Sequence, residues 1–82
     1  MTEILGGAAE VRLAPDGTPA AVRLGSGWRD VIEVVLTWRV ETDWWRAPVR
    51  RDYLRCLLTG NECVELHRDL DTGLWHWARR YD

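Results

Sequence analysis

Apolar residues recur at every second position through most of this chain, the period at which successive side chains of an extended strand alternate between two faces. Ala9–Leu13 (AEVRL) and Ala20–Leu24 (AAVRL) alternate on either side of APDGTP. Pro15 presets a turn there and Gly17 tolerates positive φ, which predicts a hairpin. After Gly25-Ser26-Gly27 comes Trp28–Val40, WRDVIEVVLTWRV. Strict alternation puts Ile32, Val34, Leu36, Trp38 and Val40 on one face of it, and its β-branched residues favour strand over helix. Val49–Leu58, Glu62–Asp69 and Leu74–Tyr81 are three further strands, joined by Thr59–Asn61 and Leu70–Gly73. The pattern predicts one all-β domain over residues 1–82, a small antiparallel six-strand open barrel or sandwich ending in a three-stranded meander.

The meander has a definable register, because a slip of one residue turns every side chain to the other face. A three-residue turn at Thr59–Asn61 pairs Leu58 with Glu62, Cys56 with Val64, Arg55 with Glu65 and Leu54 with Leu66, so apolar meets apolar and charge meets opposite charge. A four-residue loop Leu70–Gly73 then pairs Leu66 with Trp77, His67 with His76 and Arg68 with Trp75. Leu54, Leu66 and Trp77 become one buried row.

That register bears on metal binding. Cys56, Cys63, His67 and His76 resemble a four-ligand zinc set only until their placement is considered. Cys63 and His67 lie roughly 13 Å apart along a strand that rises about 3.3 Å per residue, Cys56 projects from the opposite face, and zinc ligands all sit within about 2.3 Å of the ion. No metal or other cofactor is expected, and both thiols should be free. Ser26, the single serine, sits in a turn far in sequence from either histidine, and Asp69 and Asp71 belong to turn chemistry. Neither a phosphate-binding nor a dinucleotide-binding glycine motif occurs. The expectation is a protein without enzymatic activity.

Composition sharpens the picture in two places. All eleven basic residues are arginine, and the net charge is −2. A GC-rich genome would produce that bias without functional selection, yet arginine also offers planar bidentate contacts and stacks on aromatic rings. Charge is uneven: Arg46, Arg50, Arg51 and Arg55 against Asp52 give residues 46–55 a local +3. The 46% hydrophobic content and the absence of a membrane-length apolar run suit a soluble, cytoplasmic domain with no membrane partner.

Six tryptophans with no phenylalanine exceed what one small core uses. By face assignment Trp38 and Trp77 are buried, Trp28 and Trp75 half-buried, and one of the adjacent pair Trp44 and Trp45 is exposed. An exposed tryptophan among Arg46, Arg50, Arg51 and Arg55 is the candidate binding surface. It suits a hot spot for a protein partner or a stacking platform for single-stranded nucleic acid.

The segment DWWRAPVRRDYLRCLLTGNECVELHRDLDTGLWHWARRYD resembles a small bacterial domain that occurs alone or at the C-terminal end of ImuB-like proteins, catalytically inactive relatives of Y-family translesion polymerases. The matching features are Trp45, Arg46 and Pro48, then Arg51-Asp52-Tyr53, the run Glu65 to Leu70, and the closing Trp75-His76-Trp77 with Arg80-Tyr81-Asp82. The resemblance covers the second half of the chain. It implies an adaptor or nucleic-acid-contacting accessory of mutagenic DNA repair, with the translesion polymerase machinery as protein partner. It brings no catalytic residues. Net negative charge favours the protein partner over nucleic acid, and self-association stays open.

Overall fold

The computed structural model describes residues 2–4, 7–42 and 48–81. It is all-β among those residues: β1 (Thr2–Ile4), β2 (Val11–Leu13), β3 (Pro19–Leu24), β4 (Gly27–Thr42), β5 (Val49–Leu58), β6 (Glu62–Asp69) and β7 (Trp75–Tyr81). Every pairing is antiparallel, in the order β1-β7-β6-β5-β4-β3-β2. The sheet curls into an open half-barrel rather than splitting into a sandwich. The six expected strands are present, and β1 is an addition. No helix of the described residues is long and apolar enough to cross a membrane.

The meander has the register that turn length and side-chain matching predict, from Leu58 against Glu62 to Leu54 against Leu66, and from Leu66 against Trp77 to Arg68 against Trp75. Its first turn depends on Gly60 and Asn61, both at positive φ. Any side chain at Gly60 would also meet the Arg29 guanidinium at 3.1 Å, which is held there by the Thr59 carbonyl at 3.0 Å and by Glu62 at 3.3 Å. In the second loop the Asp69 carboxylate accepts the backbone N–H of Asp71 at 2.8 Å and of Thr72 at 3.3 Å. Those bonds hold its pKa below the ordinary value, and the aspartate serves the turn as expected.

Strand β4 departs from the expected alternation. Val31, Val34 and Thr37 stand opposite Leu58, Cys56 and Leu54, while the register shifts between Val31 and Glu33 and again between Val34 and Leu36. These are β-bulges, each inserting one residue without a partner. Three-residue spacing on β4 thus matches two-residue spacing on β5. The consequence corrects the sequence-based face: Val34 stays with the core, whereas Leu36, Trp38 and Val40 turn to the opposite, outer face. Ile32 is 59% exposed and Leu36 48%, and Trp38 is half-buried rather than buried.

The core is small. Val22, Cys56, Leu58, Val64 and Leu66 are fully buried and Leu54 nearly so, with Ala9, Val11, Leu24, Val31, Val34, Trp75 and Trp77 packed around them. Trp77 is therefore half-buried at the rim of the expected row. One corner of the half-barrel is stitched by the N-terminal segment. Trp77 N–H donates to the Gly7 carbonyl at 3.0 Å and Ala9 N–H to the Trp75 carbonyl at 2.9 Å, after which Arg23 N–H donates to the Glu10 carbonyl at 3.0 Å. The chain passes from the β7 edge to the β3 edge over residues 7–10, and so brings Val22 over the meander.

Cys56 and Cys63 are free thiols on opposite faces, paired with Val64 and Leu57 respectively. Burial pushes the Cys56 thiol from an ordinary 9.0 up to about 11. The folded state thus favours the neutral thiol, so its contribution is complete below about pH 9 and is lost as pH rises toward about 11. Denaturant unfolding across that interval is expected to show falling stability, and Cys56→Ala should flatten the decline. An unchanged slope in the variant would assign the loss to other groups.

Candidate binding face

The face of the sheet opposite the core carries a row of aromatic side chains, one from each of four neighbouring strands. Trp38 stacks on Tyr53 with ring centroids 5.4 Å apart and planes 11° from parallel. Tyr53 meets His67 at 5.2 Å with a 44° tilt, and His67 stacks on His76 at 5.0 Å and 26°. Cross-strand pairing at 4.5–5.5 Å makes such contacts automatic once aromatic residues share a register position, and each is worth about 0.5–1.5 kcal/mol beyond area burial. Because Trp38 covers one face of Tyr53 and His76 covers one face of His67, the row presents ring edges more than open faces.

Arginines flank the row. Arg55 donates to Glu65 Oε2 from Nε at 3.0 Å and from Nη2 at 2.8 Å. The Tyr81 hydroxyl donates to the same oxygen and accepts from Arg55 Nη2 at 3.2 Å. The Glu65 side chain is only 4% exposed, so this cluster consumes the charge of Arg55, whose pKa the Glu65 hydrogen bond raises further. Among the described residues Arg51 reaches only the Tyr53 hydroxyl, at 3.4 Å. Arg79 is exposed. Together with Trp38, Tyr53 and His67 these two arginines line a trough of about 490 Å³. The pKa of His67 is held below its ordinary value, first through burial, then through Arg51 and His76, with Asp69 opposing. It is accordingly neutral at neutral pH, and its Nδ1 is buried without a hydrogen-bond partner among the described residues.

Elsewhere the described arginines are occupied. Arg23, Arg29, Arg39, Arg50 and Arg80 are in ion pairs, while Arg12 lies over Trp28 at 4.1 Å and Arg68 over Trp75 at 5.9 Å. Among the described residues, only Arg51 and Arg79 are in neither kind of contact, and both face the same trough. A second concavity, about 450 Å³ beside Thr37, Arg39, Asp52 and Leu54, is closed electrostatically. Arg39 donates to Asp52 at 2.7 and 3.2 Å there and holds its carboxyl below the usual range.

Of the residues expected to form the site, Trp44, Trp45 and Arg46 lie outside the described residues. Arg51 and Arg55 stand on the outer face. Arg50 points to the opposite face, paired with Asp71 at 3.4 Å, so the basic segment is divided by the pleat and does not form one patch. Reasoning from sequence missed Trp38, Tyr53 and Arg79 as site residues, although the expected register already placed Tyr53 beside His67 and His67 beside His76. No cluster of three or more metal-ligating side chains occurs among the described residues. Comparison with protein-family models, curated proteins and solved structures finds no match to this chain.

Proposed function

We propose that this protein is a non-catalytic adaptor domain associated with DNA repair and translesion synthesis, acting by protein interaction through the outer face of β4–β7. The observation that carries the reading is the trough in which Arg51 and Arg79, the two uncommitted guanidinium groups of the described residues, border an aromatic row. Arginine beside aromatic rings in a half-open concavity is the composition of interface hot spots. The charges ask for acidic groups on the partner. The resemblance of the second half of the chain to a domain of ImuB-like proteins supports the repair setting.

Single-stranded nucleic acid in the same trough is the second reading, favoured by the same juxtaposition of rings and cations. Two features weigh against it. The rings largely cover one another, and Glu65 and Asp69 share the face with Arg51, Arg55 and Arg79, so the local field is weak for a polyanion.

The experiment compares wild-type protein with an Arg51→Glu, Arg79→Glu double variant. Immobilised wild type is expected to retain purified translesion polymerase or its accessory proteins, and the double variant to lose at least about tenfold in affinity, as hot-spot arginines do. Quenching of tryptophan fluorescence by single-stranded DNA, with a log–log salt slope near −1.4 for two phosphate contacts at about −0.7 each, would instead establish the nucleic-acid reading.

A further inference from the structure

Strand β4 is paired on both sides only at its start. Its contact with β3 ends at Ala21 opposite Asp30, and from Val31 to Thr42 the side of β4 away from β5 has no strand among the described residues. The remaining edges are short, since β1 and β2 have three residues each. A long open edge exposes a row of unpaired N–H and C=O groups, which another strand satisfies best. The bulges interrupt its first part, but from Leu36 to Thr42 the ladder to β5 is regular. That regular stretch is the part another strand can join.

We infer that this edge pairs with the same edge of a second copy of the chain, antiparallel about a two-fold axis at Val40. The pleat and the charges together select that register. Trp38, Val40 and Thr42 stand on the outer face and Arg39 and Glu41 on the other, so a two-fold axis lying between residues would set unlike faces against each other. An axis through Arg39 or Glu41 would oppose like charges. An axis through Trp38 would place Arg39 against Thr37 and leave it unmatched. With the axis at Val40, Arg39 of each copy faces Glu41 of the other, twice, while Val40 meets Val40 and Trp38 meets Thr42 on the outer face. Both charged side chains are more than half exposed, at 56% and 53%. Arg39 is held by Asp52 through Nε and Nη2, while its Nη1, 3.8 Å from Glu41 of the same copy, is the group that can turn to Glu41 of the other. Isologous pairing of this kind is closed and stops at two copies. It also sets both aromatic troughs on the same side of one continuous sheet, where a partner with two acidic sites would gain avidity. The inference stands without the adaptor reading.

Sedimentation equilibrium of the intact protein over a wide concentration range tests it. Wild type is expected to show a reversible monomer–dimer equilibrium. Arg39→Glu and Glu41→Arg should each raise the dissociation constant by on the order of tenfold, because two cross-strand pairs change from attraction to repulsion. The double exchange, Arg39→Glu with Glu41→Arg, should restore dimerisation. Arg39→Glu also removes the bond to Asp52, and circular dichroism establishes whether that variant folds; Glu41→Arg leaves that bond intact and carries the test alone if needed. Because Arg39 and Glu41 also lie 3.8 Å apart within one copy, restoration is read on the dissociation constant, which reports the facing pairs between copies, while denaturant unfolding of the monomer reports the pair within one copy. A wild type that is monomeric throughout, or a dimer indifferent to Glu41→Arg, overturns the inference.

Discussion

Replacing Leu66 with alanine is expected to lower the free energy of unfolding by about 2–5 kcal/mol, the range for a fully buried leucine. Leu66 has no exposed surface and lies in the core cluster between Leu54 of β5 and Trp77 of β7. The core has few other large side chains, so its neighbours cannot collapse into the gap without losing contacts of their own. Domains of this size are stable by roughly 5–15 kcal/mol, and the loss is a large fraction of that. Denaturant unfolding by tryptophan fluorescence measures it. A midpoint within experimental error of wild type would mean that the row Leu54, Leu66 and Trp77 does not organise the fold.

Glu65→Ala is the second large effect, with an expected cost of about 1–3 kcal/mol. The carboxylate accepts from Arg55 and from the Tyr81 hydroxyl at a site that is almost wholly buried. Its removal leaves a phenol and part of a guanidinium without a partner. Burial of a pair is weak evidence for stability, but deleting one member alone is costly because the other is left uncompensated. Arg55 is 36% exposed, and water at its open side limits the loss, which is why the lower range is expected. In a double-mutant cycle, adding Arg55→Ala to Glu65→Ala should cost less than it does in wild type, since the partner has already gone. Strict additivity would show that the two groups are not coupled.

The two C-terminal hairpins were legible from residues 49–81 because local constraints agree there. Turn residues and apolar matching select one register in each hairpin, and in the first the Arg55–Glu65 charge pair adds a third constraint. Strand β4 was not legible in the same way. The run Val31-Ile32-Glu33-Val34-Val35-Leu36 has apolar side chains at adjacent positions, and no strictly alternating strand can put them on one face. The two bulges resolve this by committing Val31 and Val34 to the core and leaving Ile32, Val35 and Leu36 outside. Too many apolar residues for alternation was the available signal.

The candidate site divides along the same line. Tyr53, His67 and His76 share a row by register alone, so three of its four rings follow from the strand pairing. Trp38 joins them only because the bulges on β4 shift its face. The separation of Arg50 from Arg51 is an elementary consequence of the pleat, and summing charge along the segment concealed it. Arg79 gains its role from what surrounds it: other arginines are consumed by Glu10, Glu62, Asp52, Asp71 and Glu65, which leaves it, among the described residues, uncommitted beside Arg51.

Alternation, turn chemistry and charge matching thus determined, from sequence alone, the all-β class, the six principal strands, the register of β5 against β6 and that of β6 against β7 as far as the shift between Leu66 and Glu65. These rest on neighbours a few residues apart, where each wrong pairing exposes an apolar side chain or opposes like charges. The tertiary structure decided where β4 bulges, how residues 7–10 cross from the β7 edge to the β3 edge, and which arginines remain uncommitted. Each of those depends on contacts between segments far apart in the chain, and local periodicity is blind to which distant edge a backbone N–H will reach.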